Sequence, residues 1–70
     1  MFLDNKILQL EEAKKKKDEA NLIVKNGGDL TEAIRLYTSA IELCPPDEKT
    51  DKAIFHNNLG IALNKIDKKL

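Results

Sequence analysis

The feature that most restricts the fold is the segment 30–44, LTEAIRLYTSAIELC, which runs straight into Pro45. Leu30, Ala33, Ile34, Tyr37, Ala40, Ile41 and Cys44 recur at helical steps of three and four, so they form one continuous apolar stripe on an α-helix. Ala33 and Ala40 are small enough to let another helix approach closely, and Tyr37 between them supplies a bulky knob. The segment predicts a helix with one buried face, paired tightly with a neighbour.

The punctuation on either side predicts the rest of the architecture. Asn26-Gly27-Gly28-Asp29 ends a preceding helix through glycine, and Asp29 followed by Glu32 has the form of a capping box for the next one. A turn this short makes the two helices antiparallel. Pro45-Pro46 stops the second helix, and a polar connector leads to a third, with Thr50 as its expected N-cap. The expectation is an all-α fold of three antiparallel helices over about residues 4–25, 29–44 and 50–67, forming one unit. The first carries Leu3, Ile7, Leu10, Ala13, Ala20, Ile23 and Val24. The third carries Phe55, Leu59, Ala62, Leu63 and Ile66 on one face and Ile54 and Ile61 on another, with Leu70 at its end. A helix apolar on two sides is expected to be covered on two sides, so a further segment of a longer natural chain is expected to cover it.

Charge and size exclude several functions. Twelve basic and twelve acidic side chains give no net field to hold a phosphate backbone, which argues against nucleic-acid binding. A chain of 70 residues buries only roughly 60% of its unfolded surface, near the lower limit for folding alone. One cysteine forms no internal disulfide, and Cys44 continues the apolar stripe, as a buried, reduced thiol in a cytoplasmic protein would. The longest aliphatic run is Leu22-Ile23-Val24, so neither a membrane span nor a signal peptide is expected. His56 has no second histidine to join it and no cysteine at ligand spacing, and no nucleophile stands beside a base. No enzyme, metal or cofactor is expected.

Four consecutive lysines, Lys14 to Lys17, sit among Glu11, Glu12, Asp18 and Glu19. Lys14 has Glu11 and Asp18 at helical spacing, Lys15 has Glu11 and Glu19, and Lys16 has Glu12 and Glu19. Lys17 alone has no carboxylate three or four residues away, which makes it the lysine expected to be available to a ligand.

The order of helix, tight turn, helix and proline, with Ala33-x-x-x-Tyr37, Ala40 and Pro45, resembles the second helix of a tetratricopeptide repeat. Leu59-Gly60 followed by Leu63 is similar to the core of the first helix in a following repeat, with Ala20 as the equivalent small residue one repeat earlier. The separation 60 − 20 = 40 exceeds the family period of about 34, an excess that fits in the turn and in the connector after Pro46. The resemblance covers about residues 11–70, one and a half repeats of a right-handed α-solenoid.

Within that family, chaperone adaptors hold the C-terminal carboxylates of Hsp70 or Hsp90 tails in a carboxylate clamp. The resemblance assigns Lys17 and Asn21 to the Lys-x-x-x-Asn pair of the first helix and Asn58 to the asparagine of the third. It implies a cytoplasmic scaffold that binds an acidic chaperone peptide, with Lys17, Asn21 and Asn58 as its peptide-binding residues. The chemistry suits them, since an ammonium neutralises a terminal carboxylate while two amides donate hydrogen bonds to it. Helical asparagine is about 0.6 kcal/mol worse than alanine, so two such residues call for some compensation. Two other readings fit the same helices. A microtubule-interacting-and-trafficking-type module would bind an amphipathic helix around Ile54 and Ile61. A structural unit would form a homodimer through the uncovered face of the third helix.

Overall fold

The computed structural model describes residues 5–69 and contains three helices, α1 Asn5–Lys25, α2 Leu30–Leu43 and α3 Lys49–Lys69, with no strand among them. Leu3 and Asp4, expected at the start of the first helix, and Leu70 lie outside the described residues. The fold is all-α, and among the described residues no helix is long and apolar enough to cross a membrane.

The turn after α1 follows from its glycines. Gly27 adopts φ +71°, its N–H donates to Val24 O at 3.2 Å, and Gly28 N–H donates to Ile23 O at 2.8 Å. These two bonds make a Schellman closure, which satisfies carbonyls that the helix end leaves open. Asp29 then caps α2, its side chain accepting from Thr31 N at 3.0 Å. The second half of the expected capping box does not form. Glu32 turns toward Arg35 instead, which donates to both its oxygens at 2.9 and 2.6 Å, a two-pronged bond stronger than one to a neutral amide.

α2 ends one residue before Cys44, whose extended backbone (ψ 125°) is what the residue before a proline prefers. The start of α3 lies earlier than expected. Glu48 N–H donates to Pro45 O and Lys52 N–H to Glu48 O, both at 3.0 Å, so Glu48 rather than Thr50 occupies the N-cap. The connector after the prolines already curls into helix.

Two apolar clusters hold the three helices. One joins Ala20 of α1, Ala33, Leu36 and Tyr37 of α2, and Ala62 of α3; the other joins Ala13, Ala40, Cys44 and Phe55. Ala13 meets the end of α2 and Ala20 its beginning, so α1 and α2 run antiparallel, and Phe55 and Ala62 show the same for α2 and α3. The outer helices pack chiefly on α2 and barely on each other. α2 therefore buries more than the single stripe expected of it. Leu36 is buried and Leu43 half-buried, seven residues apart on the flank of that stripe. At the periphery, Ile7 and Leu63, expected on core faces, are exposed, and Ile54 and Ile61 remain 43% and 49% accessible.

Candidate functional site

The α1 alanines let α2 come close, and Tyr37 in the middle of α2 is buried with its hydroxyl pointed at α1. That hydroxyl donates a hydrogen bond to Oδ1 of Asn21. Burial pushes the Tyr37 phenol above its ordinary value of 10.0, so it remains a proton donor throughout the neutral range. With its oxygen engaged, the Asn21 carboxamide keeps both N–H groups for another acceptor.

Asn21 and Asn58, on α1 and α3, line one open cavity of about 300 Å³ together with Val24, Lys25, Tyr37 and Ile61. Asn58 is half-buried, and among the described residues its carboxamide has no hydrogen-bond partner. Two amides with unused donors thus face one hollow whose remaining walls are largely apolar. Such a hollow suits a carboxylate attached to an aliphatic group.

Lys17 stands apart from this cavity. Its Nζ lies 3.0 Å from Asp18 Oδ1, the adjacent residue, and its side chain is 23% accessible. The expectation that it has no local acid is therefore corrected: a flexible lysine stem reaches an acid at a spacing outside the three- and four-residue rule. The pairs expected for Lys14, Lys15 and Lys16 are absent among the described residues, none of these ammonium groups having a carboxylate within 4.0 Å. Exposed helical pairs are worth only about 0.2–0.5 kcal/mol, too little to fix a long side chain.

The cation that does line the cavity is Lys25, which in the sequence marks only the end of a helix. Its signal was available: Lys17, Asn21 and Lys25 are spaced four apart and share one face of α1. The Tyr37 hydroxyl was missed because the ring accounted for the residue as packing. His56 is exposed and not among the residues around the cavity. Among the described residues, no group of three His, Cys, Asp or Glu side chains could hold a metal ion. Compared with models of protein families, with curated proteins and with solved structures, the chain has no match.

Proposed function

We propose that the chain is a peptide-binding scaffold of the tetratricopeptide type, a stretch of a helical array that captures the acidic C-terminal tail of Hsp70- or Hsp90-type chaperones in the cytoplasm. In this reading it is a co-chaperone or adaptor and not an enzyme, and it needs no cofactor. The observation that carries the reading is the shared cavity of Asn21 and Asn58, two carboxamides from separate helices with N–H groups to spare. They donate to the terminal carboxylate, and the aliphatic part of the last residues rests on Val24 and Ile61. Lys17, one turn before Asn21, supplies charge by leaving Asp18, an exchange that costs little because surface ion pairs are worth about 0.2–1 kcal/mol. Calorimetric titration with a peptide ending in Glu-Glu-Val-Asp tests this: Lys17→Ala should weaken binding by about 1–3 kcal/mol, and an unchanged affinity removes Lys17 from the clamp.

A second reading is favoured by the exposure of Ile54 and Ile61, an apolar strip on α3 that an amphipathic helix or a second copy of the chain would cover. Titration with an amphipathic helical peptide, beside light scattering over a dilution series, separates these occupants from the acidic tail.

A further inference from the structure

Residues 53–64, inside α3, are the longest stretch of the chain without an Asp, Glu, Lys or Arg, although 34% of all residues are charged. Around that stretch, Thr50, Ile54, Asn57, Ile61, Asn64 and Lys68 follow one another at steps of four and three. That is the period of a seam between two helices. All six are exposed, while Phe55 and Ala62, which face α2, lie on the opposite side of the helix. Ala53 and Gly60 on one flank of the stripe add no bulk. Asp51, Asn58 and Lys65 form the other flank, with the acid near the start of α3 and the base near its end. Lys49, Lys52 and Asp67 fall outside the stripe and its flanks. Leu8 of α1 is as exposed as Ile54 and Ile61, but Glu11, Glu12 and Lys15 surround the hollow that it lines.

We infer that α3 pairs antiparallel with α3 of a second copy along this stripe, about a two-fold axis level with residues 58–60. Ile61 of one copy then enters the gap between Ile54 and Ile61 of the other, and four isoleucines close into one apolar patch. Charge complementarity selects this occupant and its direction. In the antiparallel register Asp51 stands opposite Lys65 of the second copy, and symmetry makes the pair twice. A parallel arrangement would set Lys68 beside Lys68 and carry Lys65 away from Asp51. Asn57 and Asn64 place amides in the seam, which specify the register at a cost in affinity, so the pair forms reversibly. Asn58 and Ile61, which wall the asparagine cavity, lie within the paired surface, so a second copy and an acidic tail exclude one another. The self-pairing itself stands on α3 alone and does not depend on tail binding.

Sedimentation equilibrium of the full chain, over a dilution series reaching about 1 mM, should show a reversible monomer and dimer. Asp51→Lys and Lys65→Glu each put two like-charge pairs into the seam and should weaken the dimer about fivefold at low salt. An equimolar mixture of these two variants should regain the native association, because their heterodimer holds two opposite-charge pairs. Both substitutions in one chain should regain it as well. Ile61→Asn should abolish the dimer, with circular dichroism reporting that the helix content of every variant is retained. A native chain that stays monomeric throughout overturns the inference. So does a dimer that neither charge variant weakens, or a mixture that associates no better than its components. A peptide ending in Glu-Glu-Val-Asp should lower the dimer fraction as it binds. Binding with no loss of dimer overturns the register, and absence of peptide binding sinks tail capture while the sedimentation series still decides the self-pairing.

Discussion

Tyr37 of α2 donates its phenolic hydrogen to Oδ1 of Asn21 on α1, linking a buried ring of the helix pair to an exposed carboxamide on its surface. The bond provides the compensation that a mid-helix asparagine calls for, since it fixes the carboxamide and directs its N–H groups outward. Tyr37→Phe keeps the ring in the core and removes only this bond. It should lower stability by about 0.5–1.5 kcal/mol in denaturant melts and weaken tail binding by several-fold, while Asn58→Ala weakens binding and raises stability by about 0.6 kcal/mol through helix propensity. Equal binding by the native chain and the Tyr37→Phe variant, with stability lowered, would make the hydroxyl purely structural.

The glycines respond oppositely to the same substitution. Gly60 lies inside α3 with nothing within 4 Å of a Cβ, so Gly60→Ala should stabilise the chain by about 1 kcal/mol through helix propensity. Gly27 holds φ +71°, and Gly27→Ala should destabilise it by about 1–2 kcal/mol because an L side chain is strained there. Thermal melts of the two variants check the contrast, and a lower melting temperature for the Gly60 variant would show that α3 has a neighbour on that face in solution.

Phe55 is the one large side chain fully buried among the described residues, and it packs with Ala13, Ala40 and Cys44. Phe55→Ala should cost about 3–5 kcal/mol. That approaches the whole stability of a domain this size, so far-ultraviolet circular dichroism should show a largely unfolded chain at 25 °C. A helical spectrum with an unshifted melt would contradict the packing described.

Two solvent-accessible carboxylates add to the acid sensitivity of the fold. Arg35 binds both oxygens of Glu32, and Lys6 donates to Asp47 at 2.9 Å, so each acid is held below its ordinary value. Lowered values favour the charged form in the folded state. The resulting stability is present above the unfolded values, near pH 4, and is lost as pH falls through the lower folded ones. Acid titration followed by circular dichroism should show stability falling below about pH 4, and Arg35→Met should make that fall shallower. An acid limb identical in the variant would remove the Arg35–Glu32 contribution.

The helices were legible where residues with local backbone preferences mark their ends: Gly27 after α1, Asp29 before α2 and the prolines after Cys44. The second buried flank of α2 was harder to read. Leu36 sits off the main stripe and is buried in a cluster that draws on both α1 and α3. Asn21 and Asn58 were paired through the resemblance to a repeat family, and they border one cavity although they lie on separate helices. Lys17 was read as unpaired and is paired, because an ammonium on four methylenes follows its rotamer and not the register. Lys25 was within reach of sequence reading through its four-residue spacing to Asn21, whereas Lys65 and Lys68 meet the Gly27-Gly28 turn only once α3 is in place.

The central claim is that Asn21 and Asn58 hold one carboxylate between them. It is tested most directly by following the side-chain amide signals of both residues in a ¹⁵N-correlated spectrum as an acidic peptide is added. Both pairs of signals should shift together with the free-acid peptide, and neither should move with its C-terminal amide. Movement of only one asparagine, or equal shifts with the two peptides, would contradict it.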